Sequence, residues 1–285
     1  MPRIPDVTLA NPRADRVKQV RALSGRSVRL RHGQFLVEGP QGVREAVRHA
    51  PGVVRDVYLT PATAERYGEI LDAARSAGLF VHVGTREVLE AMSPDAQGVL
   101  AVVRAEPSSL TRALAAADGR AGRPLLVAVL ADVRDPGNAG AVIRAADAAG
   151  ADLVVLAGQS VDVYNPKAVR SSAGSLFHLP VVTDVALADV VDELRGAGCA
   201  VLAADGAGEH DLDDLLDVAG HAASGTPDLS GPTAWIFGNE AWGLPEADRA
   251  LADAVVRVPI RGKAESLNLA TAATVCLYAS SRAQR

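Results

Sequence analysis

The chain has 285 residues, 48% of them hydrophobic and 22% charged, with a formal charge of −5. That balance excludes disorder, a collagen-like repeat and a fibrous coiled coil as the main state. The longest purely apolar run, 125–131, is far short of the roughly 20 residues of a spanning helix, and no apolar stretch follows Met1, so neither a membrane segment nor a secretory signal is expected.

In chain order, residues 13–25 predict a helix with Val17, Val20 and Leu23 on one face. Residues 34–38 predict a strand, followed by Gly39-Pro-Gln-Gly42 and a helix with Val43 and Val47 one turn apart. Further strands are expected at 53–59, 79–83 and 99–103, with helices at 62–77 and 86–92 between them. This makes an α/β unit of residues 1–105. Residues 1–55 hold eleven Lys or Arg against four acids, whereas the remainder holds 18 against 30. Two readings of that polarity stay open, a face for a phosphate backbone and a solvated arginine-rich helix surface.

Residues 106–124 lose the strand pattern and hold Gly-Arg-Ala-Gly-Arg-Pro, which predicts a linker. In 125–285, strands are expected at 125–130, 153–156, 200–204, 233–237 and 254–258, and helices at 138–149, 185–196 and 268–281. Strand and helix alternating in this way predict a mostly parallel sheet with its ligand at the carboxyl ends of the strands. Residues 205–231 carry seven acids and no Lys or Arg, and are expected to form a solvated insertion loop. Cys199 and Cys276 stand alone in apolar surroundings, with neither disulfide nor zinc spacing. They predict small buried side chains in a reducing, cytoplasmic setting, and no metal site is expected.

Three clusters hold residue types that chemistry needs. In Leu130-Ala-Asp-Val-Arg-Asp-Pro-Gly-Asn-Ala-Gly-Ala-Val-Ile-Arg144, Asn138 can cap a helix and Arg144 can grip a phosphate or a sugar hydroxyl; a plain cap with a surface arginine is the alternative. In Trp235-Ile-Phe-Gly-Asn-Glu-Ala-Trp-Gly-Leu-Pro245, Gly238 is expected to let a ligand lie against the backbone, with Asn239 and Glu240 at the strand end. In Val256-Arg-Val-Pro-Ile-Arg-Gly-Lys-Ala-Glu-Ser-Leu-Asn-Leu-Ala270, Ser266 is the N-cap candidate and Asn268 falls within the helix. No Gly-x-Gly-x-x-Gly fingerprint is present, which weighs against a nicotinamide-dependent oxidoreductase.

Taken as a set and in this order, the clusters resemble the signature of the SpoU family of RNA ribose methyltransferases in the SPOUT superfamily, over about residues 125–282. Phe35-Leu-Val-Glu-Gly-Pro40 with Val43 and Ala46 resembles the L30e-like domain that precedes the catalytic domain in rRNA-modifying members. The thiostrepton- and avilamycin-resistance subgroup, which acts on 23S rRNA, is similar. The resemblance implies an α/β fold in which a small L30e-like RNA-binding domain precedes a SPOUT domain with a mostly parallel sheet and a deep trefoil knot. It implies a homodimer that uses S-adenosyl-L-methionine to methylate a ribose 2′-hydroxyl. Arg144, Asn138, Glu240, Ser266 and Asn268 match the family's polar site positions. The cofactor would lie against the backbone near Ala203–Gly206, Gly238, Val258–Ile260 and Leu267–Leu269, with Ala203, Ala204, Gly238, Val258, Ile260, Leu267 and Leu269 as its named neighbours. The basic N-terminal unit would bind 23S rRNA, or another structured RNA, through Arg26, Arg29 and Arg31. A tRNA methyltransferase and a non-catalytic ribosome-binding protein on the same fold are the alternatives.

Overall fold

The computed structural model describes residues 6–118 and 123–285. Contacts divide the chain into two units, residues up to Glu106 with Asp162–His178, and Pro107–Val161 with Leu179–Arg285. The sequence-based division, 1–105, 106–124 and 125–285, differs from this in two respects. Residues 162–178 join the first unit because their apolar side chains pack there. Val169 enters its core, and the rings of Tyr164 and Phe177 lie 4.6 and 6.4 Å from that of Phe35. The expected linker contains a helix whose Leu110 and Ala113 are buried in the second unit; its residues 119–122 lie outside the described residues.

In the first unit, β1 (Gln34–Glu38), β2 (Val54–Leu59), β3 (Phe80–Val83) and β4 (Val99–Arg104) form a sheet in the order β1-β4-β2-β3. β4 is antiparallel to β1 and β2, while β2 and β3 are parallel. The helices of this stretch are α1 (Asp15–Ala22), α2 (Arg26–His32), α3 (Pro40–His49), α4 (Pro61–Arg66), α5 (Gly68–Ser76) and α6 (Arg86–Met92). Successive strand side chains alternate between faces. Phe35, Val37, Val57, Leu59, Ala101 and Val103 pack with Val43 and Val47 of α3 and Ile70 and Leu71 of α5. Leu36, Tyr58, Leu100 and Val102 pack with Val17 and Val20 of α1 and Leu89 and Met92 of α6.

Two helices differ from expectation. The helix expected over 62–77 breaks at Tyr67, where φ −116° and ψ 49° leave the helical region before Gly68. The helix expected over 13–25 stops at Ala22, and α2 follows as a separate element closed by Gly33 in the left-handed region.

In the second unit, β5 (Leu126–Ala131), β6 (Leu153–Ala157), β7 (Val181–Val185), β8 (Ala200–Ala204), β9 (His210–Asp211), β10 (Thr233–Phe237) and β11 (Ala254–Arg257) form a seven-stranded sheet in the order β7-β6-β5-β10-β8-β11-β9. Every pairing in it is parallel. Parallel strands covered on both faces need apolar side chains throughout, and all residues of β5, β6 and β10 are buried. The helices are α7 (Leu110–Asp118), α8 (Pro136–Ala149), α10 (Leu187–Gly196), α11 (Leu212–Asp217), α12 (Glu246–Arg249) and α13 (Leu269–Ala283), with α9 (Pro166–Ser171) inside the 162–178 excursion. Trp235 of β10 donates to Ser280 Oγ of α13 at 2.9 Å, fixing that helix against the sheet.

The acidic segment 205–231 is ordered structure, not the solvated loop expected. It supplies β9 and α11 and buries Leu212, Leu215 and Leu229. Its acids meet arginines from elsewhere in the unit, Asp205 with Arg249, Asp211 with Arg257 and Asp213 with Arg261. Cys199 and Cys276 are buried free thiols, and burial pushes Cys199 up to about 11 and raises Cys276 as well. No helix among the described residues is long and apolar enough to cross a membrane.

Candidate active site

Strand order reverses direction between β5 and β10, the place where open parallel sheets keep their ligands. Beyond the carboxyl ends of β8, β10 and β11 lies a cavity of about 480 Å3, lined by residues 204–206, by Phe237–Gly243 without Trp242, and by parts of the 256–272 stretch. Phe237, Val256, Val258, Ile260, Leu267 and Leu269 supply apolar wall, and Asp205, Glu240 and Glu265 supply carboxylates. Of the seven expected cofactor residues, Ala204, Gly238, Val258, Ile260, Leu267 and Leu269 line it. Ala203 does not: alternation turns its side chain into the core with Val201. Asp205 and Gly206, within the 203–206 stretch expected against the cofactor, line the cavity too, whereas Asn239 and Glu265 line it without having been expected as cofactor neighbours.

Glu240 is where the clusters meet. Its carboxylate accepts from the backbone N–H groups of Arg134 at 3.2 Å and Asp135 at 3.1 Å, and from Asn138 Nδ2 at 3.1 Å. Asn138 Oδ1 in turn accepts from Asn268 Nδ2 at 3.1 Å. A continuous line of hydrogen bonds thus joins three stretches that are far apart in the chain. The neighbouring Asn239 donates to the Asp132 carbonyl at 2.7 Å and accepts from Ala241 N–H at 2.9 Å, so the loop after β10 is tied to the end of β5.

The caps differ from those expected. Asp135, not Asn138, caps α8 by accepting from the Asn138 N–H at 2.8 Å. This leaves the Asn138 amide for Glu240 and Asn268. Asn268, not Ser266, caps α13 through the Ala270 N–H at 2.9 Å, so the helix starts one residue later and Asn268 lies outside it. Ser266 is exposed on the cavity lining.

Gly238, which lines the cavity as expected, also has a second reason to be glycine. A Cβ there would lie 2.4 Å from Gly243 C, 2.5 Å from Gly243 O and 2.6 Å from Leu244 N. The close neighbour is the protein's own backbone, closed by Asn239 N–H to Gly243 O at 3.0 Å and the reverse bond at 2.9 Å. Backbone cannot step aside as a flexible side chain can. Gly238→Ala is therefore expected to lower the unfolding free energy by about 1–3 kcal/mol, read from the urea midpoint; an unchanged midpoint contradicts this account of the turn.

Arg144 is not brought to this cavity within one chain. It is exposed on α8, its side chain makes no hydrogen bond or ion pair with another described residue, and it is not among the lining residues. At 100° per residue, six residues place it about 120° around the helix from Asn138 and about 9 Å along it. On α13, Leu277 is buried, whereas Val275 and Tyr278 are exposed.

The three arginines expected to contact RNA separate into two kinds. Arg26 and Arg31 are exposed on α2. Arg29 is 5% exposed: its guanidinium donates to Asp162 at 2.6 and 3.1 Å and to the carbonyls of Leu23 at 3.1 Å and Ser24 at 2.6 Å. That assignment is corrected. Arg29 is a buried structural arginine with its donors engaged inside the unit, and it has no fork left for a phosphate.

A family model described as the SpoU rRNA Methylase family matches residues 125–278, and one described as an MRM3-like substrate binding domain matches residues 14–101. The 23S rRNA (uridine(2479)-2′-O)-methyltransferase of Streptomyces viridochromogenes is 35% identical, over 98% of this chain and 94% of the relative. The 23S rRNA (guanosine(2553)-2′-O)-methyltransferase RlmP of Bacillus subtilis is 33% identical, over 92% of this chain and 94% of the relative. Among solved structures, the SpoU methyltransferase AviRb from Streptomyces viridochromogenes in complex with AdoMet matches with a TM-score of 0.78 at 34% identity, covering 95% of this chain and 98% of that one. The AdoMet-bound rRNA methyltransferase from Sinorhizobium meliloti matches with a TM-score of 0.77 at 28% identity, covering 96% and 97%.

Proposed function

The chain belongs to the SpoU rRNA methylase family, and from that premise we propose that it methylates a ribose 2′-hydroxyl of 23S rRNA with S-adenosylmethionine as donor. The observation that carries this reading is the hydrogen-bonded line Asn268–Asn138–Glu240, which ties the first motif to the two that line the cavity. The cavity suits the cofactor: its volume is that of a small-molecule site, its walls offer apolar surface to an adenine, and Asp205 and Glu265 offer carboxylates to hydroxyls and to a cationic end. When bound, S-adenosylmethionine supplies an electrophilic methyl carbon on a sulfonium centre.

The chain's own part is positioning. Glu240, held by two backbone N–H groups, orients the Asn138 amide, and Asn138 orients Asn268, so the polar face presented to the RNA is fixed before the substrate arrives. Arg144 acts as a clamp. A guanidinium stays protonated at neutral pH, so it donates to the 2′-oxygen and an adjoining phosphate, and the hydroxyl proton released on methylation leaves to water. Because Arg144 stands away from its own chain's cavity, the reading includes a homodimer in which it serves the partner's site, with the exposed Val275 and Tyr278 of α13 available to an interface. The trefoil knot belongs to the same proposal, supported by the residues of 204–206, 237–243 and 256–272 that line one cavity together. A cytoplasmic place of action is supported by two thiols left free and buried.

The first unit is assigned the RNA contact, with Arg26 and Arg31 on the exposed side of α2. Replacing both by Ala is expected to weaken RNA binding and to flatten the plot of log K against log salt by up to about 1.5, with cofactor affinity unchanged; an unaltered slope removes α2 from the interface. The function itself is tested by incubating the protein and cofactor with unmodified 23S rRNA and mapping 2′-O-methyl sites by reverse-transcription stops. One new cofactor-dependent stop is expected. No stop on 23S rRNA, with methylation of tRNA instead, would reassign the substrate.

A further inference from the structure

We propose that Glu45, His49 and His178 form a binding site for a divalent transition metal of the zinc class, on the first unit and separate from the methylation chemistry. Glu45 and His49 are one turn apart on α3, and His178 follows the short turn that ends the 162–178 excursion. Glu45 Oε2 lies 3.3 Å from His49 Nε2 and 3.1 Å from His178 Nε2, and one donor atom from each of the three residues falls within 4.8 Å of the others. Donors around a tetrahedral zinc with bonds of 2.0–2.1 Å stand roughly 3.4 Å apart. Both distances to Glu45 are within a few tenths of that value. The donors of His49 and His178 lie within 4.8 Å of each other, and the His49 side chain is half exposed, with room to turn.

A second, independent feature holds the carboxylate in place. Gly174 has φ +100°, and a Cβ there would lie 2.4 Å from Glu45 Cγ and 2.6 Å from Glu45 Cβ. The stem of Glu45 is thus seated against bare backbone, which keeps its carboxylate facing two imidazoles whose rings meet edge to face at 4.6 Å. Two nitrogens and one oxygen suit zinc, and also cobalt or nickel, over magnesium or calcium, which take oxygen ligands. Three protein donors leave a fourth position for water, and the ion would pin the turn at 174–178 to α3. The sequence gives no spacing signal because the third donor comes from a distant part of the chain.

The test uses the full-length chain without a histidine tag, stripped by chelator and titrated with Zn2+ against a chromophoric chelator, and separately with Co2+ by visible absorption. One equivalent of Zn2+ is expected, with excess Mg2+ failing to displace it, and the melting temperature should rise with Zn2+. His49→Ala, at an exposed position that does not threaten folding, and His178→Ala should each weaken binding at least tenfold and abolish the melting shift. The double variant Cys199→Ala, Cys276→Ala should bind as the wild type does. A wild type that binds no Zn2+, a His49→Ala variant that binds as tightly, or loss of binding in the cysteine variant each overturns the proposal. None of these outcomes bears on methyl transfer, which can succeed or fail independently.

Discussion

Replacing Arg144 by alanine is expected to lower the methyl-transfer rate about 10²- to 10³-fold, the cost of removing one aimed donor from a site where charge develops. Cofactor affinity should not move, because the guanidinium is assigned to the 2′-oxygen and phosphate of the RNA and not to the cofactor. Stability should stay within about 0.5 kcal/mol of wild type, because the side chain is exposed and engages no other described residue. Loss of rate without loss of binding or fold separates a clamp on the substrate from a structural arginine. Arg144→Lys keeps the charge but not the planar fork, so it should resemble the alanine variant more than the wild type. Near wild-type turnover in Arg144→Lys would show that a point charge suffices. Mixing Arg144→Ala chains with chains inactivated at Glu240 should restore part of the activity if each site draws on two copies.

The second large effect concerns an arginine that does no chemistry. Arg29→Ala is expected to lower the unfolding free energy by about 3–5 kcal/mol, because it strands the Asp162 carboxylate in a site where its partner was buried. It also leaves the Leu23 and Ser24 carbonyls without the guanidinium that bridges them. Arg29→Lys should recover little, since one ammonium cannot serve Asp162 and both carbonyls together. Three residues earlier, Arg26→Ala should change stability by no more than about 0.5 kcal/mol, as exposed substitutions do. The pair of urea midpoints is the measurement. If Arg29→Ala folds as well as wild type and instead weakens RNA binding, the arginine belongs to the interface after all.

The comparison of these two arginines shows what a sequence can convey. Both sit in one short basic helix, and only packing against Asp162 from a distant segment distinguishes them. The strands of the second sheet were legible because strands buried on both faces must be apolar throughout, as 126–131 and 153–157 are. The motifs at their ends were legible because parallel sheets leave their functional loops there. Caps were harder. Asp135 and Asn138, or Ser266 and Asn268, are chemically equivalent candidates, and which one caps depends on where the backbone turns into the helix. Gly238 marks close approach, and a glycine does not say whether ligand or backbone approaches; here backbone does, at a position that also lines the cavity. The acidic stretch 205–231 looked solvated by composition, yet Leu212, Leu215 and Leu229 anchor it and arginines from other segments pair with its acids.

The central claim is the transfer of a methyl group to a sugar oxygen, and it is tested most directly by the identity of the product. Unmodified 23S rRNA incubated with the protein and methyl-labelled S-adenosylmethionine is digested to nucleosides, which are separated and identified by mass. The account predicts label in a single 2′-O-methylnucleoside, accumulating far more slowly when Arg144→Ala replaces the wild type. Label on a base, or no label in RNA although the cofactor binds, would contradict it.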